Sequence, residues 1–275
     1  MEHILLPQIE YNKFSNTRDS IQLIAQLVSA IKGKIIPHQK NWEEYSLKVY
    51  SKGFTSCAIP MQTQSGIEAL ELNINLIEHK LKIFYKNFRD EISLEQSTIL
   101  NFTNIFVEKL NSYGIEIAKQ DAKFYANKNL TYDKSESEKL WNLFRQVYFL
   151  FLKFRGTTLF EASNINFWPH HFDLALLLFS GKLVDGQEPS NWDYSREQMN
   201  FGLSSGDSGI HQPYFYVTAY PFDEKILKME LPKYAEWHTQ GWQGLAIKIN
   251  QLENQNEIMQ KLNSLFTTLL NANYS

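Results

Sequence analysis

Leu70-Glu-Leu-Asn-Ile-Asn-Leu76 decides how the chain is read. Leu70, Leu72, Ile74 and Leu76 alternate with Glu71, Asn73 and Asn75, a period of two that puts one apolar row on one face of a strand. Glu78-His-Lys80 reads as a tight turn into Leu81-Lys-Ile-Phe-Tyr85, so the stretch is a β-hairpin. Toward the N-terminus, Tyr45, Leu47 and Val49 alternate with Ser46 and Lys48. Ahead of them a helix is expected from about Asp19 to Ile31. Ile21, Ile24, Ala25, Val28 and Ile31 share one of its faces, Asp19 caps its start and Gly33 stops it. Beyond the hairpin, Ser93 with Gln96 has the form of a capping box. The helix it would open carries Ile99, Phe102, Phe106, Leu110 and Tyr113 and closes at Gly114.

Residues 118–134 are polar and without period, and read as a connection. A second capping box, Ser135 with Glu138, opens a helix through Leu140, Leu143, Phe144, Val147, Phe151 and Phe154 to Gly156. Strand alternation then resumes at Phe172, Leu174, Leu176 and Leu178, and again at Met199, Phe201 and Leu203. It recurs at Tyr214, Tyr216, Thr218 and Tyr220, and at Leu245, Ile247 and Ile249, before a final helix from about Asn254 to Asn271. The order helix, antiparallel strands, helix thus occurs twice. The expected organisation is one unit over 1–275 made of two related halves, 16–117 and 135–273, joined by 118–134. Trp42, Tyr45, Leu47 and Val49 leading to Gly53 echo Trp168, Phe172, Leu174 and Leu176 leading to Gly181, the pattern of an internal duplication. The class is α+β, with antiparallel sheets covered on one face by helices.

Of the 275 residues, 43% are hydrophobic and 14% aromatic, ample for a buried core. The formal net charge is −3, without the clustered Lys and Arg that displace counterions from nucleic-acid phosphates. No uncharged apolar run reaches the roughly 18 residues that span a bilayer. The N-terminus lacks a cationic segment followed by an apolar one, so no signal peptide is read there. Cys57 is the only cysteine, which excludes an intramolecular disulfide and a thiolate metal cage and fits a reducing, cytoplasmic compartment. It lies in a strand-like run and is expected to be a small buried hydrophobe. No nucleic acid or membrane partner is expected.

The residues able to do chemistry gather in three stretches of the second half: Trp168-Pro-His-His-Phe-Asp173, Gly202-Leu-Ser-Ser-Gly-Asp207 and Trp237-His-Thr-Gln-Gly-Trp242. If Phe172, Leu174 and Leu176 face one way, His171 and Asp173 face the other, with Cα atoms about 6.5–7 Å apart. Such a pair either ties down the start of a strand, forms an oriented general base, or contributes to a metal site in which His170 could join. Gly202-Leu-Ser204-Ser-Gly206 has the letters of a nucleophile elbow, but a turn-rich segment follows it where an elbow needs a helix. The loop reads as a hairpin with Asp207 bonded to its own backbone, or as a nest for an anion. Trp237 and Trp242 flank His238 and should fold over something, either the sheet or a ligand pocket. Tyr214 and Tyr216 could stack against a ligand or cover the sheet. His3, His38, His79 and His211 are isolated and read as structural or exposed.

Several strings are similar to an uncharacterised, mainly bacterial and cytoplasmic family of unknown function. They are Gly33-Lys-Ile35, Gly53-Phe-Thr-Ser-Cys-Ala-Ile-Pro60, Phe154-Arg-Gly156, Trp168-Pro-His-His-Phe-Asp-Leu174, Phe179-Ser-Gly181 and Pro213-Tyr-Phe-Tyr-Val-Thr-Ala-Tyr-Pro221. The resemblance covers about Ser20 to Asn271 and is most specific at Trp-Pro-His-His-Phe-Asp and Gly-Leu-Ser-x-Gly-Asp. Ser205 stands where similar sequences often have Pro. The resemblance implies a shared fold and assigns no activity and no catalytic residue.

Three readings follow. The leading one is a small-molecule-binding protein or enzyme. Its catalytic candidates are His171, Asp173 and His238, and its ligand-binding candidates are Trp168, His170, Ser204, Asp207, Tyr214, Trp237 and Trp242. The second is a non-catalytic structural or interaction module. The third is metal-dependent hydrolysis through His170 or His171 with Asp173 and His238. Substrate, cofactor, oligomeric state and pathway are not legible.

Overall fold

The computed structural model describes residues 6, 7, 9–117, 122–252 and 258–274. The elements in chain order are α1 (Tyr11–Ile35), β1 (Lys48–Tyr50), β2 (Gly53–Thr55), β3 (Ile59–Thr63), β4 (Gly66–Asn75), β5 (Lys80–Tyr85) and β6 (Phe88–Ser93), then α2 (Ile99–Ser112) and α3 (Lys134–Thr157). There follow β7 (Glu161–Ala162), β8 (Asn166–Trp168), β9 (Asp173–Leu183), the single turn α4 (Trp192–Ser195), β10 (Arg196–Ser204), β11 (Tyr214–Tyr220), β12 (Glu236–His238), β13 (Gly244–Lys248) and α5 (Ile258–Tyr274). The class is α+β, and the strand pairs are antiparallel. Among the described residues no helix is long and apolar enough to cross a membrane.

The chain divides into two compact units. The first comprises Asn12–Trp141 with Asn166–Phe172; the second comprises Met1–Tyr11, Asn142–Ile165 and Asp173–Ser275. They share most of their residues with the expected halves. They differ in that α3 divides between them at Trp141, and in that Trp168-Pro-His-His-Phe172 belongs with the first unit.

In the first unit the strand order is β1-β2-β4-β5-β6, with β3 also paired to β4. The alternation that predicts this hairpin is the alternation that buries it: Leu70, Leu72, Ile74, Leu81 and Ile83 are inaccessible to solvent. The apolar stripe of α1 is buried as expected, including Ile21, Ile24 and Val28. The helix itself begins eight residues before Asp19 and runs through Gly33, which therefore sits in its last turn. A Cβ on Gly33 would lie 2.2 Å from the ring of Tyr45, so glycine is needed for that ring to rest on the helix backbone. The cap of α2 is Thr98, whose hydroxyl accepts from Asn101 N at 3.1 Å; Ser93 instead accepts from Glu95 N. Likewise the residue that accepts at the start of α3 is Asp133, from Glu136 N, two residues ahead of the expected box. Cys57 is exposed, at φ 55° between β2 and β3, because the chain leaves the sheet there.

In the second unit the strands run β12-β13-β11-β10-β9-β7. Phe201 and Phe215 face the helices: Phe215 meets Phe151 of α3 edge-on, and Phe201 packs with Phe154 and with Phe266 of α5. The other face of β9, β10 and β11 carries Asp173, Ser204, Tyr214 and Tyr216, in the register Asp173↔Ser204↔Tyr214 and Ala175↔Gly202↔Tyr216. The last helix is described from Ile258, so the expected start at Asn254 lies outside the described residues.

Candidate functional site

The expected site residues fall into two assemblies, one in each unit. In the first unit, Leu47 and Phe167 exchange both backbone hydrogen bonds at 2.9 Å, an isolated antiparallel bridge. Asn166 secures it by accepting from Lys48 Nζ and from Ser46 Oγ (3.2 Å) and donating to Glu43 (3.2 Å). Below the bridge Phe167 stacks on Phe54 with ring centroids 3.7 Å apart and meets Phe172 edge-on. The bridge fixes Trp168 beside the residues just ahead of Leu47. From Trp168 the chain turns at once. Phe172 N bonds Trp168 O at 2.7 Å with Phe172 in the left-handed region (φ 56°), and Gln22 and Gln26 of α1 donate to the carbonyls of Pro169 and His170 at 3.0–3.2 Å.

That turn corrects the expected His171–Asp173 pair. Alternation does not extend back past Asp173, since a left-handed residue interrupts the extended chain. His171 is exposed and belongs to the first unit, whereas Asp173 is buried and belongs to the second.

Trp168 and His170 instead line a cleft of about 360 Å³, within the range of small-molecule pockets. Trp42 and Tyr45 supply further aromatic surface, Phe124 and Lys123 another wall, and Gln26, Ser29 and Ala30 of α1 the floor. Trp42 is 47% exposed and Tyr45 39%, a large area of aromatic surface left to solvent. Their loop is held open by unusual means. Asn41 (φ 57°) and Trp42 (φ 60°) are consecutive left-handed residues without a glycine, which costs about 1–2 kcal/mol at a residue with a full side chain. The opposing clamp comes from α1: Lys32 Nζ, buried, donates to the carbonyls of Glu43 (3.2 Å) and Ser46, and Ser29 Oγ donates to Tyr45 O at 2.5 Å. Burial, reinforced by the charge of Lys48, lowers the Lys32 pKa to about 8. At His170, desolvation and then the charges of His171 and Lys123 lower the pKa to about 4, so this imidazole is neutral at physiological pH.

The second assembly is the open face of the second unit's sheet. The Tyr216 hydroxyl donates to Asp173 Oδ2 and the Tyr214 hydroxyl to Asp207 Oδ2 at 2.6 Å. Asp207 Oδ1 accepts from the backbone N–H of Gly209 (2.7 Å) and Ile210 (2.9 Å), the self-bonded turn expected of that loop. Burial opposes ionisation of Asp207, but these hydrogen bonds and the charge of His238 outweigh it and hold the carboxyl below its ordinary range. Trp242 stacks on His238 (4.4 Å) and lies parallel to Tyr214 (6.1 Å), and its ring meets Tyr216 edge-on at 6.2 Å. Asp173, Asp207, His238 and Trp242 are therefore near one another, with a tyrosine hydroxyl donating to each acid, but His171, which the expected pocket also includes, belongs to the first unit.

Gly202 makes the Tyr216 contact available. It stands opposite Tyr216 across β10 and β11, and a Cβ there would lie 2.1 Å from the phenol ring. The ring lies over the bare backbone of β10 and so reaches Asp173 on β9. Ser204 is buried, accepts from Gly206 N at 3.1 Å and is followed by a loop, so the elbow reading fails as its mechanics require. Trp237 turns to the opposite face, lining a small hollow with Met199, Leu245 and Leu269 and donating to Met229 O at 3.3 Å. The two tryptophans of that loop do not share a pocket. Among the described residues no three His, Cys, Asp or Glu converge as metal ligands.

A model of a family of unknown function, DUF5996, matches residues 6–272, so the chain belongs to that family. No curated protein and no solved structure matches it.

Two outcomes are expected. Gly202→Ala should cost on the order of 2 kcal/mol by displacing the Tyr216 ring. The Gly202→Ala/Tyr216→Ala double variant should lose less than the sum of the singles in urea denaturation, since both act on one contact. For Lys32 the sign follows from proton counting. Between about pH 8 and 10.5 the unfolded chain holds a proton the folded chain has lost, so this residue makes stability rise with pH. Denaturation at pH 7.5 to 9.5 should show that rise in the wild type and in Lys34→Met, and a flatter profile in Lys32→Met.

Proposed function

We propose that this member of the DUF5996 family is a small-molecule-binding protein, and that the ligand occupies the aromatic cleft of the first unit. One observation carries the reading: Trp42 is held half exposed on a left-handed backbone beside that cleft. Strain of this kind persists where the surroundings enforce it, and it concentrates at ligand clamps. Here Lys32 and Ser29 do the enforcing through the carbonyls of residues 43, 45 and 46. Ring-bearing compounds fit such a wall, because stacking recovers the apolar area that the exposed indole and phenol leave in water. Of the residues singled out from sequence, Trp168 and His170 are contact residues in this reading, with Trp42, Tyr45 and Phe124 added.

The second unit takes the non-catalytic reading. The hydrogen bonds from Tyr216 to Asp173 and from Tyr214, Gly209 and Ile210 to Asp207 are the pattern of a network that ties strands together.

The test separates a strained ligand wall from a structural one. Trp42→Gly relieves the left-handed penalty and should leave the unliganded protein as stable as wild type or more stable, by up to about 1 kcal/mol in urea denaturation. The same substitution should abolish the rise in melting temperature produced by ring compounds in a thermal-shift panel. His238→Ala should keep that rise. A Trp42→Gly protein that is clearly destabilised, or that responds to the panel like wild type, contradicts the reading.

A further inference from the structure

We propose that the solvent face of α3, in its second-unit part, docks an acidic amphipathic helix of another protein. The helix is apolar on two sides there. Phe144, Val147, Phe151 and Phe154 are buried, whereas Phe149 is 55% exposed, Leu152 is 39% exposed and Leu159, just past the helix end, is wholly exposed. Tyr148 is half-buried, with its ring 6.0 Å from that of Phe149. A helix apolar all round is ordinarily covered all round, and a contiguous apolar patch left in water marks an interaction site.

Charge is built into the same face. Arg145, Tyr148, Phe149, Leu152 and Arg155 succeed one another at helical steps of three and four, so the two arginines end one row about 15 Å apart, with Lys153 at its border. From Lys139 to Phe160 the sequence contains no Asp or Glu. Arg145 gives an N–H to Asn142 Oδ1 at 2.8 Å, a neutral partner. Among the described residues no carboxylate pairs with Arg145, Lys153 or Arg155, and all three are exposed.

Charge complementarity selects the occupant. A second copy related by a two-fold axis would set these cations against their own kind. Helices that lie on lipid keep their cations on a separate polar face, but here both arginines stand in the apolar row. Tyr, Phe and Arg are the residues enriched where protein binds protein. A partner helix with apolar side chains at steps of three and four, and carboxylates about ten residues apart at the two ends, matches the row. Each arginine can then grip a carboxylate with two parallel hydrogen bonds.

Fluorescence anisotropy of a labelled peptide against the full chain tests this. The probe contains Glu-Ala-Ala-Leu-Leu-Ala-Ala-Leu-Ala-Ala-Glu, extended with Ala and Gln to about 20 residues so that it forms a helix. It should bind at least about tenfold more tightly than the same peptide with Gln for both Glu. Phe149→Ser should abolish binding without lowering the urea midpoint, since the ring is exposed. The double variant Arg145→Gln/Arg155→Gln should close the gap between the two peptides. Equal affinity of the peptides for the wild type, binding that survives Phe149→Ser, or binding of neither peptide overturns the proposal. So does Phe149-dependent pelleting with phosphatidylglycerol vesicles in place of peptide binding, which assigns the face to lipid, or Phe149-dependent dimers in sedimentation velocity, which assign it to a second copy.

Discussion

The cleft exists because Leu47 and Phe167 trade backbone hydrogen bonds. That one bridge carries Trp168 and the turn after it to the side of Trp42 and Tyr45, and it ends the first unit's aromatic core with Phe167 stacked on Phe54. Each neighbouring feature supports it. Asn166 binds both Ser46 and Lys48, Gln22 and Gln26 hold the carbonyls of the following turn, and Lys32 reaches from α1 to fix the loop that precedes Leu47. Apart from the bond of Gln22 to the His170 carbonyl, which is exposed, these contacts are polar and buried or half-buried, where a missing partner costs about 1–3 kcal/mol. Such a set specifies one arrangement sharply.

The two units use their polar residues differently. In the second, the acids and tyrosines answer one another across β9, β10 and β11, and Gly202 leaves room for the Tyr216 ring over β10. In the first, polar groups hold backbone carbonyls, and the aromatic side chains they position remain open to solvent. Hydrogen bonds between strands rigidify; an exposed, strained aromatic wall has surface left to give.

Much of the scaffold was legible because it obeys periodicity. The Leu70–Tyr85 hairpin, the buried stripe of α1 and the alternating rows of β10 and β11 all follow from spacing alone. The caps lie a few residues from the serines that the sequence offers, since Thr98 and Asp133 compete with them and only the folded backbone decides which hydroxyl or carboxylate is in reach. The candidate site was legible in composition and not in geometry. Trp168 and His170 were found from an unusual string, but their partners were hidden. Gln22, Gln26 and Ser29 look like the solvated side of a helix, and nothing local to Asn41-Trp42 announces a left-handed turn. The His171–Asp173 pair failed for the same reason: Phe172 leaves the extended region, and a single such residue reverses the faces that alternation assigns. Asp173, Asp207, His238 and Trp242 come near one another through Tyr216 and Tyr214, whose hydroxyls, rather than the ring faces that periodicity draws attention to, make the contacts with the acids.

The indole N–H signals report directly where a ring-bearing ligand sits. In a ¹⁵N-tryptophan-labelled sample titrated with naphthalene-2-carboxylate, the cross-peaks of Trp42 and Trp168 should shift together along one saturable curve, with those of Trp192, Trp237 and Trp242 unmoved. Shifts at Trp242 or Trp237 with Trp42 and Trp168 silent would place binding on the second unit's sheet and contradict the account.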